Sequence, residues 1–364
     1  MLAPRISPPS TTLNDATLYR RVQAALYDAD TLAALEGPAG EALVARCRRL
    51  ATLAFDHQEP AARLAIHRVL YALNMGRLAG PERAPQVHVA HPLFARLTWD
   101  INQRWQAALR RRHAGTLHNL PSVEVFPAWI RARVQQHRSN VTHPLFRFLR
   151  DDASLDQVRE FIFQETPLEM LFGDIVAMML PGLYGPAKAE LAENFWDEVG
   201  RGVDAEVHRN LRQDMARSLG IPDEAERRFF EGLTVEELVL VNTYLSMAAD
   251  RGQLTQLIGM LLATENMIPG RFEFLIEGMR RLGVSDEAMT YLILHTTVDV
   301  GHAEGWMEQL VIPLLQARPE LLPQLTLGVL RRLDAAGAVC DRLFARLQEV
   351  EGPQDLSFPL IPTA

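Results

Sequence analysis

His295-Thr-Thr-Val-Asp299-Val-Gly-His302 lies inside an apolar run from Met289 to Leu315 that reads as one helix. Residues four and seven apart return to nearly the same helix face, at about 100° per residue. His295, Asp299 and His302 therefore make one polar stripe on a helix whose other residues include Leu292, Leu294, Val298, Trp306 and Leu310. Two imidazoles and a carboxylate facing one way suit a first-row metal such as iron, manganese or zinc. The bland alternative is a solvated face with incidental histidines. It fits a lone histidine better than it fits three potential ligands set in an apolar helix.

Working outward, further carboxylates stand in other apolar helices. Glu265 lies in Met260-Leu-Leu-Ala-Thr-Glu265-Asn-Met, where burial is costly unless the charge finds a partner. Its alternative is a helix-end glutamate near the Pro269 break that points to solvent. Glu198 and His208 share the segment Asn194 to His208. Read as one ideal helix, ten residues leave them about 80° apart, and Gly200 and Gly202 allow a local distortion. By spacing alone Asp197, Asp204 or Glu206 could replace Glu198. Glu165, in Phe161-Ile-Phe-Gln-Glu165-Thr-Pro-Leu-Glu169, sits one helix earlier, with Glu169 one turn on as its competitor. Glu165, Glu198, Glu265 and Asp299 would balance the charge of two ferrous ions, with three neutral histidines completing a neutral site in a dry interior.

The rest of the chain is compatible with such an interior. Its 364 residues are 48% hydrophobic, enough for a large core. A net charge of -8 argues against a nucleic-acid surface. Cys47 and Cys340 are the only cysteines, so no disulfide framework exists and a reduced, cytoplasmic protein is expected. The Pro/Ser-rich start, Met1 to Thr12, has no signal-peptide core, and no apolar run has the length of a membrane span.

Helical periodicity dominates, and no convincing strand alternation or hairpin signal occurs. Helices are expected from an Asn14/Asp15 cap to about Asp28, then over Gly40 to Phe55, Pro60 to Met75, Pro92 to His113 and Val123 to His137. After a junction at Ser139 to Pro144 the helices grow longer and more apolar: Ser154 to Met179, Pro186 to Leu219, Thr234 to Ala248, Gln253 to Met267, Phe272 to Leu282, Ser285 to Ala317 and Leu321 to Val350. The expected organisation is all-α: a helical N-terminal region over 1–140 suited to support or dimerisation, a bundle over 141–350, and an extended tail over 351–364. Bundles commonly build metal sites between facing helices.

The set Glu198…His208…Glu265…His295-x3-Asp299-x2-His302, with Phe195-Trp-Asp-Glu ahead of the first histidine, resembles the heme-oxygenase-like diiron oxidases and oxygenases, often called iron-containing redox enzymes. The likeness runs from about Pro144 to Leu315. It implies a seven-helix heme-oxygenase-like bundle, here with an N-terminal helical extension, and two irons that activate O2 with electrons from an external donor. It implies Glu198, His208, Glu265, His295, Asp299 and His302 as ligands. Some members, N-oxygenases among them, carry one more carboxylate on a preceding helix, and Glu165 is its nearest counterpart here. A ferritin-like diiron protein would show two Glu-x-x-His pairs, and this chain has none.

The resemblance implies an O2-dependent oxygenase. The extra carboxylate and the long N-terminal region point to N-oxygenation of a small amine or amino acid, from hydroxylamine toward a nitro product, in specialised metabolism. A reductase or chemical reductant would supply electrons, and a homodimer without nucleic-acid or membrane partners is expected. The enzymatic alternative is desaturation or oxidative C–C cleavage of an aliphatic amino or fatty acid. The non-enzymatic alternative is a helical metal-binding or interaction protein.

Overall fold

A computed structural model describes residues 15–222 and 229–350. The Pro/Ser-rich start, Asn14 of the expected first cap and the expected extended tail lie outside the described residues. Among the described residues every regular element is helical, and the one β-bridge joins Val199 to Val207. The all-α expectation holds. The chain divides into two compact units, residues 1–108 and 109–364, so the division falls before the junction expected near residue 140.

In the first unit, Leu18–Tyr27, Pro38–Phe55 and Pro60–Arg77 form the main helices, followed by the start of Pro92–Arg112. Three of the four open with proline in the first turn, where its missing N–H would be unpaired anyway and its φ is already helical. Their apolar faces bury Leu18, Val22, Leu26, Ile66, Leu70 and Leu73 almost completely. Phe55 stacks on Trp105, and the edge of His67 meets both rings.

The second unit departs from the expected helices in three places. The Ser154–Met179 segment breaks at Met170 and Leu171 into Leu155–Glu169 and Phe172–Met179. Ser154 caps the first of these with a full capping box to Gln157. The Pro186–Leu219 segment is not one helix: Gly185–Glu198 and His208–Ser218 are separate. Between them Gly200, Arg201 and Gly202 all take positive φ, and the chain folds back so that Val199 meets Val207. Gly200 is required there, because a Cβ would lie 2.5 Å from the backbone of Glu206 and Val207. The third departure lies in the opening motif's helix. It runs Thr290–Gly305, continues as a π-helical turn Trp306–Val311 and ends with Ile312–Ala317.

Phe126–Gln136, Val235–Ala248, Leu254–Glu265, Ile268–Arg281 and Leu322–Gln348 lie close to expectation, whereas Pro144–Asp151 is a helix where none was expected. Leu254–Glu265 and Leu322–Gln348 meet backbone to backbone. A Cβ on Gly259 would fall 2.0 Å from the Leu325 carbonyl oxygen, and one on Gly328 would fall 1.8 Å from that of Gln256. This close crossing, free of side chains, sets the position of the helix that ends at Glu265.

Candidate metal centre

Two trios of side chains, buried but for the half-buried His302, come together where the helix ends converge. In the first, Glu198 from the last turn of its helix, His208 from the first turn of the next, and His295 from the motif helix place one ligand atom each within 4.8 Å of one another. The broken segment, rather than the continuous helix with an 80° offset, is what sets Glu198 beside His208. His208 Nδ1 and Glu198 Oε1 are 3.1 Å apart, yet Nδ1 has no hydrogen-bond partner. That is the separation of two donor atoms on one ion, since bonds of about 2.1 Å at near right angles put the donors ~3 Å apart. His295 Nδ1 donates to the Tyr291 carbonyl at 2.7 Å, which leaves Nε2 its lone pair. Burial pushes the His295 imidazole down to about 4, with neighbouring His208 adding to the effect, so it sits neutral as a ligand must.

The second trio is Glu265, Asp299 and His302, again with ligand atoms within 4.8 Å. His302 Nδ1 faces Glu265 Oε2 at 3.8 Å and Asp299 Oδ1 at 4.0 Å. Its other nitrogen, Nε2, donates to Asp197 at 2.9 Å. Burial raises both the Glu265 and the Asp299 carboxyls well above their usual range, and the surrounding carboxylates raise them further. A cation between them would reverse this, because it favours the ionised form. Both trios open on one cavity, which Glu198, His295, Glu265, Asp299 and His302 line together. The donor set, carboxylate oxygens and imidazoles without thiolate, fits two iron ions.

The structure does not bring Glu165 into either trio. It lies 3.7 Å from the Arg271 guanidinium, and burial raises its carboxyl despite that charge. Glu169, one turn on, lines the cavity and accepts a hydrogen bond from the Tyr291 hydroxyl.

Residues 159–337 match the sequence family described as iron-containing redox enzymes, and all seven expected ligands fall within that span. That half of the chain is similar to iron-containing redox enzymes. Nitrosourea synthase of Streptomyces achromogenes subsp. streptozoticus is 24% identical over 149 residues, which are 41% of this chain and 31% of that protein. The match therefore spans less than a third of the relative's length. A solved domain of unknown function with a heme oxygenase-like fold, from Shewanella denitrificans OS217, is similar at 13% identity and a TM-score of 0.49, covering 66% of this chain and 100% of that one.

Around the two trios the chain holds residues that spacing did not single out for their roles. Asp197 orients His302 and is itself held by Arg201. Burial alone would raise the Asp197 carboxyl, but the hydrogen bonds from Arg201 and His302 hold it below its usual value. Tyr291 fixes His295 through its carbonyl and Glu169 through its hydroxyl. Trp306, at the start of the π-helical turn, donates to Asn194 at 2.7 Å and ties the motif helix to the helix that bears Glu198. By spacing Asp197 stood only as an alternative to Glu198, because a run of adjacent acids cannot say which one ligates and which one supports.

Proposed function

We propose that this chain is a non-heme diiron oxygenase that activates O2 and N-oxygenates a small amine or amino-acid-derived substrate. The observation that carries the reading is the pair of carboxylate–imidazole trios, buried but for the half-buried His302, facing one cavity. Glu198, His208 and His295 would hold one iron, and Glu265, Asp299 and His302 the other. Two irons bound there supply electrons to O2 and a template for its reaction. The similarity of residues 159–337 to iron-containing redox enzymes supports the metal. The relative named nitrosourea synthase supports chemistry at nitrogen, since a nitrosourea carries oxygen on nitrogen.

The chain's own residues prepare the site. The Asp197–His302 and Tyr291–His295 hydrogen bonds aim one nitrogen of each imidazole inward. Leu168, Phe172, Val176 and Ile268 form an apolar wall of the cavity that keeps water from the reacting amine. Glu169, held by the Tyr291 hydroxyl, puts a further carboxylate on the cavity surface, where it can take a proton from the amine. An external reductant restores the irons. The buried free thiols of Cys47 and Cys340 support a reducing, cytoplasmic setting, and a homodimer is proposed, which a sedimentation mass of one chain would sink.

The test is an anaerobic Fe(II) titration followed by 18O2 and candidate amines. About two irons per chain and label retained on nitrogen support the reading. Label absent from nitrogen, with an alkene and a lost fragment instead, would move the enzyme to oxidative cleavage. No stoichiometric iron would remove the oxygenase reading altogether.

A further inference from the structure

Arg332 stands on the Leu322–Gln348 helix and lines the same cavity as Glu265, Asp299 and Tyr291. It is only 2% exposed. Its Nε donates to Thr264 Oγ at 3.0 Å, and that hydroxyl also bonds the Tyr244 hydroxyl. Its Nη1, equally buried, has no hydrogen-bond partner among the described residues. A guanidinium keeps its charge at any pH the protein meets and offers a rigid fork of donors matched to a carboxylate. Leaving part of that fork dry and unpaired is unfavourable unless a ligand completes it.

Other buried arginines also carry a nitrogen without a hydrogen-bond partner, Arg212 Nη1 and Arg271 Nε among them, but neither of these lines the cavity. Arg331 donates to Gln253 and Gln256, and Arg271 lies against Glu165. Arg332 donates to the neutral Thr264 oxygen and lies over the Tyr244 ring at 5.9 Å, and its field reaches Glu165 and Glu237. Thr264 precedes Glu265 in the chain, so a group bound by Arg332 is tethered within one residue of the second trio.

We infer that Arg332 receives the carboxylate of the substrate, and that the substrate is therefore an amino acid rather than a simple amine. This rests on the N-oxygenase reading and names its substrate class. One end of the ligand is held by the guanidinium and the Thr264 side, the apolar wall takes its carbon chain, and its nitrogen faces the two trios. Arg332 is a binding residue in this scheme.

The test uses the full chain loaded with zinc, so that no turnover intervenes, and isothermal calorimetry with three matched pairs: L-leucine and isopentylamine, L-phenylalanine and phenethylamine, L-lysine and cadaverine. The expected result is at least one amino acid bound about 10- to 100-fold more tightly than its paired amine, the range for loss of a charged hydrogen bond. Arg332→Gln should erase that preference and Arg332→Lys should keep part of it. Equal affinity of acid and amine, an acid preference that survives Arg332→Gln, or no binding by any of the amino acids overturns the anchor. Should Arg332→Gln lose its helical circular dichroism, the acid-against-amine comparison in the unsubstituted protein decides alone. The N-oxygenase reading is separate from these outcomes, because iron stoichiometry and label incorporation decide it.

Discussion

Asp197 shows how much of the candidate centre depends on single atoms. Its carboxylate takes one nitrogen of His302 and leaves the other facing Glu265 and Asp299. Removing that acceptor frees the ring to rotate, and supporting carboxylates of this kind are worth roughly 10- to 100-fold in metal affinity. Asp197→Ala should therefore weaken Fe(II) binding by about that factor, read by anaerobic titration, while the far-ultraviolet spectrum stays helical. Asp299→Ala and His302→Ala should each abolish O2-dependent turnover with the helical signal nearly intact. Normal turnover in both variants would mean that this stripe does not hold the metal.

Among the elements, the turn between Gly185–Glu198 and His208–Ser218 carries the most geometry for its size. Gly200 sits at φ 63° with backbone atoms 2.5 Å from where a Cβ would stand. Neither contact is the end of a flexible side chain, so Gly200→Ala must move the turn and His208 with it. We expect a stability loss of about 1–3 kcal/mol together with weaker loading of the Glu198–His208–His295 trio. An unchanged urea midpoint and unchanged metal stoichiometry would argue that the turn does not position His208. In the first unit, the helix Pro60–Arg77 places His67 against Phe55 and Trp105. Burial holds its imidazole down to about 3. The unfolded chain takes up that proton near pH 6.5, so between about 3 and 6.5 the unfolded state binds more protons and stability falls as the pH drops. Denaturant melts followed at Trp99 and Trp105 should show this loss beginning near pH 6.5, and a flat profile from pH 7 to 4 would contradict it.

For the second unit as a whole, the buried carboxylates of the two trios oppose folding until a cation joins them. An ion that binds the folded state alone stabilises by mass action, ~2.7 kcal/mol at a hundredfold excess over Kd. In a body of this size that raises Tm by roughly 5–10 °C. Scanning calorimetry with and without Zn(II) or anaerobic Fe(II) should show the rise, and a chelator should reverse it. Indifference of Tm to metal would mean that the trios do not bind one.

The helical class and the motif stripe were legible in the chain itself, because both are local. A 3.6-residue period and three polar residues at spacings of four and seven need no partner to be read. Glu265, Glu198 and His208 were legible as candidates because each interrupts or follows an apolar stretch. What lay beyond the sequence was every choice that depends on a second element. Whether Glu165 or Glu169 turns to the cavity is decided by Arg271 on one side and Tyr291 on the other, and both carboxylates share one helix face. The positive-φ turn at Gly200 replaces an apparently continuous helix, since the close backbone of Glu206 and Val207 is not visible in composition. Arg332, thirty residues past the motif, enters the cavity only because Gly259 and Gly328 let two helices touch. Periodicity reports the face a residue occupies on its own helix, whereas only packing decides what that face meets.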